Sequence, residues 1–273
     1  MNIETKYTSL KHGRMAYWDI GKGKTILMLH GFCEQKSMFS PFLELANTHR
    51  LIIPDLPGFG QSDRLTGTGT MDKYAEALEE FIAIHQLELQ LLIGHSMGSY
   101  LGLHMLEKNP FLCRGFSIFH SHPYADNKAT LQKRKKSIEF IIKHGAQHWL
   151  KPFYSNLFPS SKRIEMEQQV NLLAEESKTL HAEAIIFAQE AMASRKDQSA
   201  TLQSYPGLVQ CIIGDLDEIA PRTYGLQQVT LPKRCLYNHI YNCGHMGQWE
   251  AADEVMEHFL QMLRSLKTLP AKT

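Results

Sequence analysis

The chain has 273 residues, with 29 Lys plus Arg against 28 Asp plus Glu and a formal net charge of +1. That length suits one large domain, or a domain carrying an insertion, and is enough to bury a core without disulfide or metal support. The balanced charge excludes the basic field that draws nucleic acid or an anionic membrane, and 43% hydrophobic with 21% charged residues excludes bulk disorder.

From the N-terminus, Ile3–Leu10 and Arg14–Ile20 read as two strands joined through Lys11-His12-Gly13, a hairpin. After the Gly21-Lys22-Gly23 turn, Thr25–Leu29 is a wholly apolar run of the kind buried on both faces in a parallel sheet. Leu51–Ile53, Leu89–Ile93, Phe116–Phe119, Leu208–Ile213 and Arg234–Ile240 share its style. Helical patterns lie between them, over Ser37–Ala46, Thr70–His85, Met97–Glu107, Pro221–Val229 and Gln248–Leu266. The alternation predicts an α/β architecture with a mostly parallel sheet. Residues 122–199 break the rhythm, with helix-like stretches punctuated by Gly145, Pro152 and Pro159 and no strand pattern. Within them Gln132–Lys143 is amphipathic, and Ser161–Ala193 reads as one long helix or two. The expected organisation is a core from 1–121 and 200–273, with 122–199 inserted as a helical cap. No stretch approaches the roughly 18 apolar residues needed to cross a bilayer. The polar start Met1–Lys6 has no apolar leader segment, so no signal peptide is expected. Five scattered cysteines (Cys33, Cys113, Cys211, Cys235 and Cys243) do not form a disulfide framework, and a reduced, cytoplasmic location is expected.

The strongest chemical signal is Gly94-His95-Ser96-Met97-Gly98, a G-x-S-x-G segment that follows an apolar strand and opens a helix. Such a turn strains the serine, requires small neighbours at two before and two after, and aims the first helical N–H groups at a substrate oxygen. A serine hydroxyl needs a general base. Of 14 histidines, His245 in Asn242-Cys243-Gly244-His245-Met246 lies in a loop after the last strand, on the elbow's side of the sheet. His95 is beside the serine, but its side chain points away. The third member orients the imidazole. Asp217 in Gly214-Asp215-Leu216-Asp217-Glu218 is preferred, bracketed by Gly214 and Pro221; Asp215 and a merely solvated acidic turn are the alternatives. The order Ser96, Asp217, His245 is that of α/β-hydrolases rather than of the common serine-protease folds.

Over nearly its whole length the chain resembles the α/β-hydrolase superfamily. His30-Gly31-Phe32 is similar to that family's oxyanion-hole loop, and Asp55-Leu56-Pro57-Gly58-Phe59-Gly60-Gln61-Ser62 matches its D-x-P-G-x-G-x-S segment. The resemblance implies an eight-stranded, mostly parallel sheet with a helical cap after the sixth strand. It also implies oxyanion donors from the backbone N–H groups of Phe32 and Met97. Other signals carry less. Gly23-Lys24-Thr25 lacks the upstream glycine of a P-loop, since Trp18 stands there. His144 and His148 lack the Glu of a zinc helix, and the basic run 133–136 reads as a solvated helix face. His120 and His122, where the cap departs, either line a pocket or pack at the junction.

A serine at the elbow disfavours the dehalogenase and epoxide hydrolase chemistries that similar enzymes run from an aspartate. The expected function is hydrolysis of a small-molecule carboxylic ester or lactone through an acyl-enzyme, with no cofactor and no metal. A C–C bond hydrolase of aromatic-degradation type and a slow-turnover small-molecule receptor that keeps the triad are the alternatives. The aromatic residues Tyr124, Phe140, Trp149, Phe153, Tyr154 and Phe158 point to an apolar acyl or aryl pocket under the cap. The expected partner is the small-molecule substrate, with no nucleic acid or membrane, and the expected state is a monomer or homodimer.

Overall fold

The computed structural model describes residues 3–269; Met1 and Asn2 of the polar start lie outside them. The strands are β1 (Lys6–Leu10), β2 (Gly13–Ile20), β3 (Thr25–Leu29), β4 (Arg50–Pro54), β5 (Leu89–His95), β6 (Cys113–Phe119), β7 (Leu208–Gly214) and β8 (Cys235–Ile240). They form one eight-stranded sheet in the order β1-β2-β4-β3-β5-β6-β7-β8. β2 runs antiparallel to both β1 and β4, and every other pairing is parallel. All residues of β3, β5 and β7 are buried, as their mainly apolar character favours.

The helices are α1 (Met71–Ile84), α2 (Met97–Lys108), α3 (Lys128–His144), α4 (Ala146–Ser155), α5 (Glu167–Glu176), α6 (Ala182–Ala193), α7 (Ser199–Ser204), α8 (Arg222–Gln228), α9 (Gly247–Glu250) and α10 (Ala252–Thr268). α1 starts where Thr70 accepts the Lys73 N–H, and it buries Met71, Tyr74, Ala75, Leu78 and Phe81 at helical spacing. One face of the sheet packs through Leu27, Leu92, Phe116 and Val209, the other through Ile26, Ile93, Phe119 and Ile212. Truncating such a leucine or isoleucine to alanine costs about 2–5 kcal/mol. No helix among the described residues is long and apolar enough to cross a membrane.

Three elements differ from the sequence expectation. The strand at Ile3 begins only at Lys6. The helix expected over Ser37–Ala46 is a 3-10 helix spanning Lys36–Asn47, where Pro41 supplies no N–H for an α-helical bond. The single helix expected over Gln248–Leu266 is divided between α9 and α10, because Ala251 sits at φ −153°, ψ 47°. Between β6 and β7 the described chain holds helices and turns, α3 to α7, and no strand. Ser161–Ala193 resolves into two helices, α5 and α6.

Candidate active site

β5 ends at His95, and Ser96 follows at φ 48°, ψ −115°, a left-handed backbone that an L-residue adopts only under restraint. Three bonds supply it. Ser96 N–H donates to Phe119 O at 2.9 Å, Ser121 Oγ donates to Ser96 O at 2.9 Å, and Ser99 Oγ donates to Gly94 O. A Cβ on Gly94 would lie 2.5 Å from Ser99 N, and one on Gly98 would run into the Leu29 carbonyl. Only glycine lets the turn close. The result leaves Ser96 partly exposed at the N-terminus of α2.

The loop after β8 brings His245 to this turn, with Nε2 at 2.9 Å from Ser96 Oγ. Its Nδ1 lies 2.8 Å from Asp217 Oδ2, which fixes the proton on Nδ1 and leaves Nε2 free to accept from the serine. Asp217 is set in turn by the Ile219 and Ala220 N–H groups, both at 2.8 Å from Oδ1. Burial works against its charge, but His245 and His120 beside it hold its carboxyl well below the ordinary carboxylate range. Asp215 instead accepts the Cys243 N–H at 3.2 Å. His245 and Asp217 are 2% and 4% exposed, so the pair is nearly dry while the serine is reachable. Phe32 stands in the loop after β3, and Met97 is the first residue of α2.

Around the site, Glu34 carries no readable signal in the sequence, while His120 and His122 are expected there either to line a pocket or to pack at the junction. Glu34 accepts the Gly31 N–H at 2.7 Å and lies 3.0 Å from His95 Nδ1, while His95 Nε2 lies 2.9 Å from the His245 carbonyl. Both ring nitrogens therefore donate. Burial opposes that charge, yet the Glu34 carboxylate raises the His95 pKa above its ordinary value. His120, at φ 48°, places Nδ1 at 3.5 Å from Asp217 Oδ2, and burial pushes its pKa down to about 4. His122 packs against Tyr100, Tyr124 and Tyr224, and burial pushes it to about 3. The D-x-P-G-x-G-x-S segment is used structurally. Asp55 accepts from Lys36 Nζ at 2.7 Å and from Gln61 N–H at 2.9 Å, and Ser62 Oγ donates to Asp55 O at 2.7 Å. Gly60 at φ 53° makes room for that carboxylate.

Of the aromatics between β6 and β7, Trp149 and Phe153 stack at 4.6 Å and meet Phe32 at 5.9 and 5.4 Å. The others serve packing. Phe140 is 42% exposed beside His144, Phe158 stacks on Trp249, and Tyr154 Oη donates to Cys33 O at 2.7 Å. A cavity of about 560 Å³ opens beside the Phe32 loop rather than over the serine, lined by Cys33, Glu34, Phe59, Gln61, Leu173 and Leu180 among others. Among the described residues no group of three His, Cys, Asp or Glu is placed to hold a metal ion.

A sheet of this order with a serine at the β5–α2 turn defines a class, and sequence comparison agrees: the model of the alpha/beta hydrolase fold matches residues 24–252. The chain belongs to the α/β-hydrolase fold family. It is 24% identical to the "Dihydrolipoyllysine-residue acetyltransferase component of acetoin cleaving system" of Pseudomonas putida, over 92% of this chain and 67% of that protein. It is 25% identical to "Lipase 1" of Psychrobacter immobilis, over 94% of this chain and 83% of that one. Uncharacterised mycobacterial proteins match at 29% identity over 37% of this chain, which spans 30% of their length. Among solved structures, an esterase from Thermogutta terrifontis superposes with a TM-score of 0.88 at 21% identity, covering 97% of this chain and all of that one.

Proposed function

We propose that this protein is a serine hydrolase that cleaves a small-molecule carboxylic ester or lactone. The observation that carries the reading is the continuous line from Asp217 through His245 to Ser96, with links of 2.8 and 2.9 Å, ending on a serine held in a strained turn. Ser96 Oγ attacks the substrate carbonyl carbon as its proton passes to His245 Nε2. The carbonyl oxygen becomes an oxyanion, received by the backbone N–H groups of Phe32 and Met97; one such donor is worth about 2.7–4 kcal/mol. His245 then returns the proton to the leaving alkoxide, releasing alcohol and leaving an acyl-Ser96. Water repeats the cycle, with its proton taken by His245, and frees the acid. Asp217 stays ionised throughout, and its depressed pKa suits that role.

The segment 122–199 is the cap in this reading. Trp149 and Phe153, packed on Phe32, form the apolar wall that sorts acyl or alcohol groups. Five cysteines without a disulfide among the described residues fit a reduced, cytoplasmic setting. A panel of p-nitrophenyl esters of increasing acyl length, with lactones alongside and Ser96→Ala as blank, tests the reading. The expected result is turnover of short or medium esters, fluorophosphonate labelling at Ser96, and loss of both in the variant. Unlabelled wild-type protein would overturn it.

A further inference from the structure

Three consecutive backbone N–H groups, those of Gly244, His245 and Met246, each have a defined acceptor. Gly244 N–H donates to Glu250 Oε2 at 2.9 Å, His245 N–H to Leu157 O at 3.3 Å, and Met246 N–H to Glu250 Oε1 at 3.1 Å. Leu157 belongs to the segment between β6 and β7, some ninety residues earlier in the chain. The same segment contributes Pro159, whose ring lies against Gly244 so closely that a Cβ there would overlap it. It also contributes Lys162, whose Nζ stands 3.6 Å from Glu250 Oε2. The Glu250 side chain is wholly buried and that of Lys162 is 12% exposed. Burial pushes the Glu250 carboxyl above its ordinary range, while the two N–H groups and Lys162 pull the other way. A buried carboxylate needs such partners, since an unpaired one loses its charge or its position. The break at Ala251 is what turns Glu250 back onto the loop.

We infer that Lys162 and Glu250 are positioning residues for the reaction: they clamp the Gly244–Met246 loop so that His245 is held in line with Ser96 only while the Leu157–Lys162 segment is docked. The inference rests on the serine hydrolase reading for its rate consequences, but the clamp itself is a property of the loop. Lys162 leaves Glu250 with a matched charge; Glu250 binds the peptide groups on both sides of the histidine; the histidine keeps its 2.9 Å contact with the serine. Neither clamp residue meets the reacting atoms, so their loss acts on the placement of the base and not on substrate binding.

The test uses the full chain with Lys162→Met, Lys162→Arg, Glu250→Gln and the Lys162→Met/Glu250→Gln double variant. Three quantities are read: kcat and KM on a p-nitrophenyl ester, the rate of fluorophosphonate labelling, and hydrogen exchange of the Gly244–Met246 amides. Lys162→Met is expected to lower kcat and labelling in parallel by about tenfold with KM within about twofold, the signature of a lost transition-state alignment. Lys162→Arg, which keeps the charge, is expected to restore most of the rate. The double variant is expected to be no slower than Glu250→Gln alone, because residues acting as one unit are not additive. The three amides are expected to exchange faster in Lys162→Met. Unchanged exchange and kcat in Lys162→Met, or losses that multiply in the double variant, overturn the clamp. Wild-type protein that fails to label at Ser96 while its amide exchange still answers to Lys162→Met overturns the hydrolase reading and leaves the clamp standing.

Discussion

At the scale of single residues, the backbone of Ser96 does part of the work that a flexible serine would leave to chance. Its φ of 48° is held by bonds to Phe119 and from Ser121, which fixes where the side chain leaves the turn, with Oγ 2.9 Å from His245 Nε2. Ser96→Ala and His245→Ala are each expected to lower kcat by about 10³–10⁶, with double variants no worse than single ones, in steady-state assays. Asp217→Asn is expected to cost less than either, since the Ile219 and Ala220 N–H groups still hold its Oδ1. Gly98→Ala tests the turn itself. Its new methyl meets the Leu29 carbonyl, and a loss of about 3 kcal/mol in urea denaturation is expected even though no catalytic atom is removed. These predictions separate two demands on one pentapeptide, chemistry at Ser96 and space at Gly94 and Gly98.

Among elements, the loops at the C-terminal ends of the strands carry the site, and they differ in how they are held. The loop after β4 is held by charge, with Lys36 and Asp55 only 6% and 0% exposed in their side chains. Asp55→Asn or Lys36→Met leaves the partner buried without its counter-charge, and a cost of about 3 kcal/mol in chemical denaturation is expected. The runs at 25–29, 89–93 and 208–213 showed their strands in the sequence because burial on both faces favours apolar residues at nearly every position. That Ser96, Asp217 and His245 come together was legible for a related reason: Ser96 and Asp217 follow such runs, His245 follows the half-buried β8, and in each case a glycine at or just past the strand end marks a loop. Glu34, Lys162 and Glu250 were not legible. Their partners lie far along the chain, as with His95 and the His245 carbonyl or Lys162 and Glu250, and no local pattern announces a contact of that range. The 3-10 helix at 36–47 also escaped, because its apolar spacing satisfies either kind of helix and only Pro41 hints at the difference.

For the whole molecule, buried histidines make stability depend on pH in opposing senses. His120 and His122 are held neutral, with folded values near 4 and 3 against an ordinary 6.5. The unfolded chain therefore binds more protons than the folded one as pH falls below about 6.5, and stability drops until the folded values are passed, by about 3 kcal/mol for His120 alone. His95 runs the other way: its raised value contributes stability at low pH and loses it as pH climbs through the folded value. Denaturation midpoints are expected to fall steadily from pH 6.5 to pH 4, with a shallower slope in His122→Gln. Variants within 122–199 are a different matter. Trp149→Ala and Phe153→Ala are expected to shift the preferred acyl length in the ester panel while Ser96 still labels, because both rings face Phe32 and neither touches His245's loop in the way Leu157 and Lys162 do. The register of the sheet adds a consequence for engineering. β6 and β7 are hydrogen-bonded neighbours, with Phe119 opposite Ile212, although nearly ninety residues separate them in the chain. The strands are parallel, so the chain must cross back to the start of β7, and α7 lies on that path. The ends of the 122–199 segment already meet, with Gln198 N–H donating to Pro123 O at 2.8 Å, so a short linker spans them, and the entropy of closing a loop depends only weakly on its length, about 0.6 kcal/mol per doubling. Replacing 122–199 by a few glycines and serines is expected to leave a cooperatively folding sheet by circular dichroism, but one that labels slowly at Ser96. The segment this deletion removes is also the one whose Leu157 carbonyl accepts the His245 N–H.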